Sequence, residues 1–251
     1  MNHVSNVIPM FMGEVGFKYK KEALKVYSYL IYTENGIYLF DTGLNTLFIS
    51  DIKAIMEDLV VFMDVKVGAE HMLRSKLAEH GLEPGDLKGV ICSHLHFDHA
   101  GGLRVFEGTD VPLYVNPREY EYAQGSERSF EYKIQDHGFL KDAANVVWTS
   151  EDMDIDGMPC MKLIQTPGHS AGHQSLILTG RERRLLLTGD AVYSWDNMKS
   201  NRVPPYPFKK QQAADSLERL NLISGKCDQV ICGHDCDEFM DRSVYLDRQA
   251  V

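Results

Sequence analysis

Between Ser93 and Gly102 the chain reads SHLHFDHAGG, which places three histidines and an aspartate within six positions directly after an apolar run. Imidazole and carboxylate next to a buried strand are costly unless hydrogen bonds or coordination compensate them. In extended backbone His94 and His96 project to the same side and can grip one ion, while Asp98 and His99 can turn toward a second position. Neutral imidazole with carboxylate is a ligand set for zinc and similar divalent ions, and a centre that leaves room for water is a catalytic one. Gly101-Gly102 then permits a close backbone turn that a β-branched residue would resist. A lone HxH is weak evidence; HxHxDH with GG behind it is specific.

The elements that must position these side chains are apolar runs of strand length. Val26–Ile31 and Ile37–Phe40 flank YTENG, where Asn35-Gly36 signals a hairpin turn, and the second run breaks at FDTG (40–43). AEHMLRSKLAEHGLEPGDL has helical spacing at Met72, Leu73 and Leu77, with Gly81 and Pro84 as stops. KGVICS (88–93) runs straight into the histidine cluster; VPLYV (111–115) is a further strand, and PREYEYAQ opens a helix with Pro117 in its first turn. MKLIQ (161–165) ends at TPGHSAGH, QSLILTG and RRLLLTGD form a hairpin ending at Asp190, and DQVICGHD is read as the last strand, ending at His234. QQAADSLERLNLI is an amphipathic helix with Ala214, Leu217, Leu220 and Ile223 on its apolar side. His94, His96, His169, Asp190 and His234 thus all lie at or just past the C-terminal ends of strands, on loops held by a rigid sheet, where sites are usually built.

Composition bounds the rest. The chain has 251 residues, 44% hydrophobic and 25% charged, with no low-complexity linker, and reads as a single α/β domain over 1–251. A net charge of −10 argues against a nucleic-acid partner. The RERR cluster at 181–184, between two apolar runs, reads as a solvated turn. The first residues lack a basic region followed by a long apolar stretch, and no window approaches the roughly 18 apolar residues of a membrane span. Five cysteines without a scaffold pattern point to a reducing cytoplasm.

SHLHFDHAGG resembles the HxHxDH motif of the metallo-β-lactamase superfamily, and FDTG, TPGHSAGH, TGDAVY (188–193) and CGHD (232–235) match in order over roughly residues 26 to 236. The resemblance implies an αββα sandwich with a binuclear metal centre between two β-sheets. It implies His94, His96 and His169 as ligands of one divalent ion and Asp98, His99 and His234 as ligands of a second. Asp190 would bridge both together with a hydroxide. Zinc is the expected metal, although iron, manganese and cobalt also suit such ligands. Asp41 is similar to a buried aspartate that orients the metal loop. His173 matches no ligand position and reads as a supporting histidine, and His3, His71, His80 and His137 read as solvated or helical bystanders. Cys227, Cys232 and Cys236 surround His234, but their spacing fits no zinc knuckle.

Histidine at 96 argues against the di-iron flavoprotein branch, which has glutamate there, and aspartate rather than cysteine at 190 argues against β-lactam hydrolases. The combination most resembles N-acyl-homoserine lactone lactonases. It implies opening of a small-molecule lactone by the metal-bridging hydroxide, with Tyr193 hydrogen-bonding near the substrate carbonyl and Asp98 delivering a proton to the leaving alkoxide. A monomer or homodimer is expected. These lactonases commonly carry a longer loop before DTG; here that segment is compact. The acyl pocket is therefore expected from Met10, Phe11, Met12 or Phe17, or from FISDIKAIMEDLVVFMDV (48–65), which otherwise reads as core or dimer surface. The rival within enzymes is a glyoxalase II-like thioester hydrolase with the same ligands, for which 202–210 (RVPPYPFKK) could supply cations for glutathione carboxylates. A non-catalytic metal sensor or scaffold is the rival from another class.

Overall fold

The apolar runs pair into two facing sheets in the computed structural model, which describes residues 2–18, 23–50, 63–125, 127, 129–133, 137–235 and 244–247. The first half contains β1 (Val4–Phe17), β2 (Leu24–Thr33), β3 (Gly36–Phe40), a one-turn helix α1 (Leu47–Ser50), β4 (Met63–Lys66), α2 (Leu73–Glu79), β5 (Leu87–Ile91), β6 (Leu113–Val115), α3 (Pro117–Gln124), α4 (Phe130–Lys133) and β7 (Val146–Trp148). The second contains β8 (Met153–Ile155), β9 (Met158–Gln165), β10 (Gln174–Thr179), β11 (Arg184–Leu187), α5 (Trp195–Ser200), α6 (Lys210–Ser224), β12 (Gln229–Ile231) and β13 (Val244–Tyr245).

Among the described residues one sheet runs β13-β1-β2-β3-β5-β6-β7 with β4 beside β1, and the other runs β12-β11-β10-β9-β8. β3, β5, β6 and β7 are parallel, so their C-terminal ends, and the loops that follow, open on one edge. Alternation along each strand divides its side chains between two cores. Tyr38, Phe40 and Ile91 meet Leu163, Leu176 and Leu187 between the sheets, whereas Leu39 and Val90 pack outward with Leu73 and Leu77 of α2. On the far side Ile177 and Leu186 pack with Leu217 and Leu220 of α6. The layering is helix, sheet, sheet, helix, as expected. Strands buried on both faces read as continuous apolar runs, which is why they were legible.

Four expectations need correction. β1 was not anticipated: Pro9, Gly13 and Gly16 interrupt it, and irregular register at Val4/Asn6 and Phe11/Gly13 breaks its alternation. β12 is not the last strand, because β13 closes the first sheet against β1. On α6 the core-facing alanine is Ala213, with Ala214 half-buried. Two of the supposed bystander histidines are buried in defined roles. His3 contacts Glu34 Oε1 at 3.0 Å and Asp247 Oδ2 at 2.6 Å, while His137 Nε2 donates to the Leu95 carbonyl at 3.0 Å. His80 is exposed and His71 half-buried, and Arg181 to Arg183 form the expected solvated turn.

The putting-together of the site begins with one close approach. The FDTG turn lies against the HAGG turn: Thr42 N donates to the His99 carbonyl (2.7 Å) and Gly101 N to the Gly43 carbonyl (2.7 Å). A Cβ at Gly101 would sit 2.3 Å from Asn45 N, so only glycine allows this approach.

Candidate metal centre

Four loops converge at the strand ends. His94, His96, Asp98 and His99 follow β5, and His169 follows β9. Asp190 sits in the short turn Gly189–Ala191 after β11, and His234 follows β12. The structure brings all seven together. His94, His96 and His169 present ligand atoms within 4.8 Å of one another, as do His94, His99 and Asp190, and Asp98, His99 and His234.

Hydrogen accounting fixes how three of the rings face the centre. Asp41, an acceptor only, takes Ser93 N at 2.7 Å, Ser93 Oγ at 2.7 Å and His99 Nδ1 at 2.9 Å. The Ser93 hydroxyl proton is therefore spent, so at 2.9 Å Ser93 Oγ accepts from His94 Nδ1. His234 Nδ1 donates to the Lys25 carbonyl at 2.8 Å. In each ring the proton is held on Nδ1 and the Nε2 lone pair points inward, the tautomer a ligand needs.

The inward atoms have too few partners. His94 Nε2, His99 Nε2 and Asp190 Oδ1 are buried with no hydrogen-bond partner among the described residues. Each such atom costs about 1–3 kcal/mol, and coordination to a cation accounts for all three. Asp190 lies between the groups: Oδ1 is 3.2 Å from His99 Nε2, while Oδ2 is 3.1 Å from His234 Nε2 and 3.5 Å from His169 Nε2.

Charge supports the same reading. Burial, aided by the neighbouring imidazoles, holds His94 and His96 well below the ordinary histidine range, and burial brings His169 down to about 4. These rings are neutral. Burial also opposes charge on His99 and His234, but Asp190 and Asp98 outweigh it and raise both. The carboxylates thus set up a negative potential that draws positive charge to the centre of the ring of ligands, and a divalent cation fits it.

Sequence reasoning missed Glu119. It is buried on α3, with Oε1 accepting from Leu95 N (3.1 Å) and Tyr132 Oη (2.6 Å), and Oε2 from Ser170 Oγ (2.8 Å) and Gly172 N (2.7 Å). One carboxylate therefore ties the loop of His94 and His96 to that of His169. The ring of Tyr132 packs edge-on against His96 at 4.7 Å. An acid in the first turn of a helix has an ordinary explanation in the helix dipole, so nothing local marked Glu119 out. His173 is not a ligand: its Nε2 accepts from Ala191 N (3.3 Å), and its Nδ1 pairs with Thr166 Oγ1 (2.9 Å) behind His94.

The centre floors a cleft of about 240 Å³. Tyr193 lines it, edge-on to His234 at 4.8 Å and to His169 at 5.6 Å. Its apolar wall comes from Val15, Leu24, Met63, Phe97, Phe130 and Pro205. Met10 and Met12 are instead buried in the outer core, and Phe11 packs on Tyr27 and His71. The side chain of Phe17, residues 51–62 of the 48–65 insert, and Cys236 lie outside the described residues. Cys232 is buried in the core beneath α6 with Cys227 packed against it.

Residues 22–234 match the model of the metallo-beta-lactamase superfamily. The chain is 35% identical over 221 residues to an N-acyl homoserine lactonase of a Bacillus species, covering 86% of this chain and 83% of that protein. It is 34% identical over 219 residues to N-acyl homoserine lactonase AiiA of Bacillus thuringiensis subsp. kurstaki, with the same coverage. Among solved structures it superposes with TM-score 0.79 and 30% identity on an N-acyl homoserine lactone hydrolase holding the product N-hexanoyl-L-homoserine at its catalytic metal centre, covering 94% of this chain and 95% of that one. The same values hold for a B. thuringiensis AiiA variant with N-decanoyl-L-homoserine in its active site.

Glu119→Gln turns one acceptor oxygen into an NH2 group facing two donors. Supporting groups of this kind are worth about 10–100-fold in metal affinity. Competition with a chelator of known affinity should show a loss in that range; wild-type retention would mean that Glu119 does not position the centre.

Proposed function

The chain belongs to the metallo-β-lactamase superfamily, and from that membership we propose that it hydrolyses the lactone ring of N-acyl-homoserine lactones, degrading a quorum-sensing signal. The observation that carries this reading is a metal-ligand cluster at the floor of a narrow cleft whose other wall is apolar. A lactone ring fits the first and an acyl chain the second. His94, His96 and His169 would hold one divalent ion and Asp98, His99 and His234 a second, with Asp190 between the two groups of ligands. Zinc is the proposed metal, with iron, manganese or cobalt compatible with the same donors. When bound, such a pair supplies Lewis acidity toward a carbonyl and brings the ionisation of water near neutral pH.

The protein's own groups do the rest. Burial first, then the charges of Asp190 and Asp98, push the Tyr193 hydroxyl well above its usual range. It therefore stays protonated and donates to the lactone carbonyl as negative charge develops there. Asp98, on the ligand loop and lining the cleft, is the group within this site placed to pass a proton to the departing ring oxygen. The apolar wall excludes water from the acyl chain.

A glutathione thioester is a poorer fit. No lysine or arginine is among the described residues that line the cleft. Lys209 lies over the Phe208 ring, beside Arg118 in a separate groove. The reading also takes the protein to be cytoplasmic, a monomer or homodimer without a nucleic-acid partner. Cys92, Cys160 and Cys227, thiols without a disulfide among the described residues, are in keeping with a reducing compartment.

Metal analysis should find close to two divalent ions per chain, and Asp190→Ala should empty both positions; one ion surviving that change contradicts the binuclear centre. Homoserine lactones should be opened, with proton release, faster than S-lactoylglutathione is cleaved. A preference of about tenfold or more for the thioester would instead favour the glyoxalase II-like rival. Tyr193→Phe should lower kcat/KM roughly 5- to 100-fold, less than the largest losses of a single oxyanion donor because bound metals carry most of the charge. Its metal content and Tm should stay near wild type. Unchanged kcat/KM would reduce Tyr193 to a packing residue.

A further inference from the structure

Behind the ligands, three fully buried side chains, His173, Thr166 and Ser175, form a hydrogen-bonded series whose direction is fixed at both ends. His173 Nε2 accepts from Ala191 N at 3.3 Å, and its Nδ1 meets Thr166 Oγ1 at 2.9 Å. Thr166 Oγ1 meets Ser175 Oγ at 2.8 Å, and Ser175 Oγ donates to the Thr188 carbonyl at 2.7 Å.

A hydroxyl has one proton to give and a carbonyl none. The Ser175 proton is committed to Thr188, so Ser175 accepts from Thr166. The Thr166 proton is then committed as well, so Thr166 accepts from His173 Nδ1. The other end agrees: Ala191 N–H only donates, so Nε2 offers its lone pair and the ring proton sits on Nδ1. Hydrogen bonds aligned in one direction polarise and strengthen one another.

The ring at the end of this series grips the turn that carries Asp190. It holds Ala191 N on one side of the aspartate. On the other side a Cβ at Gly189, φ 52°, would lie 2.8 Å from Nε2, so the backbone there packs directly on the ring. In the opposite tautomer a proton on Nε2 would face the Ala191 N–H, leaving a buried donor unsatisfied and pushing the turn away.

We propose that Thr166 and Ser175 are positioning residues for Asp190: they keep the His173 proton on Nδ1, and the bare Nε2 holds the turn that aims the carboxylate between the two ligand groups. The inference rests on Asp190 as the ligand shared by two ions.

The imidazole nitrogen shifts of zinc-loaded protein with isotope-labelled histidine report the tautomer, and competition with a chelator of known affinity reports the hold on zinc. Wild-type His173 should carry its proton on Nδ1. Thr166→Val, close in shape, leaves that N–H without an acceptor. It should lower zinc affinity by about tenfold, the low end for supporting groups, because it acts through a second residue. Ser175→Ala removes nothing bonded to His173 but frees the Thr166 proton to turn toward Nδ1. A second tautomer should then appear and zinc affinity should fall. Thr166→Ser keeps the hydroxyl and should match wild type in both readouts.

A proton on Nε2 in the wild type overturns the proposal, and so does wild-type zinc affinity in Thr166→Val and Ser175→Ala. Equal losses in Thr166→Ser and Thr166→Val also overturn it, since packing of the threonine methyl would then explain both. A wild type that binds no zinc removes the shared ligand and this inference with it. The expected losses in a protein that opens no homoserine lactone would remove the lactonase reading and uphold this inference.

Discussion

The Asp41 carboxylate is the constraint on which the centre depends. Asp41 directly follows β3 in left-handed backbone, φ 61°, with its own N–H given to the Ile91 carbonyl at the end of β5. For a residue with a side chain that conformation costs on the order of 1–3 kcal/mol. It is retained because the carboxylate thereby reaches three donors at once, Ser93 N, Ser93 Oγ and His99 Nδ1. Through those bonds one side chain sets the tautomer of His99 directly and of His94 through the serine. A single local strain is exchanged for two correctly aimed ligands.

The two sheets divide the remaining work. The first supplies the clustered ligands of the loop after β5, and the second supplies His169, Asp190 and His234 from three separate strand ends. Nothing in covalent structure holds those sets in register. The core between the sheets does, and Glu119 reinforces it at the site by bonding to both loops. Its own carboxyl is raised by burial, with the four donors working against that shift. The centre is therefore preorganised by buried polar contacts that are individually modest and collectively rigid.

Electrostatics complete the design. Seven buried ligand groups, two of them carboxylates, are crowded so closely that several of their atoms have no partner but one another. Such a cluster is unfavourable as a piece of protein and favourable as a cation site. The cleft above it changes from polar to apolar over a short distance, so it distinguishes the two ends of a ligand as well as its reactive bond.

Much of this was legible in the amino-acid sequence. HxHxDH-GG, PGHSAGH, GDAVY and CGHD each carry their ligands next to a strand that reads as an apolar run, and a motif local in sequence needs no tertiary information to be seen. Asp41 was legible as a supporting group for the same reason, through its place in FDTG. Tertiary structure alone decided what depends on long-range pairing. β1, interrupted by Pro9, Gly13 and Gly16, becomes a strand because β2, β4 and β13 pair with it. That pairing turns Met10 and Met12 into the core and leaves Val15 on the cleft. His3 and His137 acquired partners far away in the chain, Asp247 and Leu95. Glu119 is an ordinary acid in a short helix until folding removes its water. The four donors that then surround it are a property of packing that no local pattern encodes.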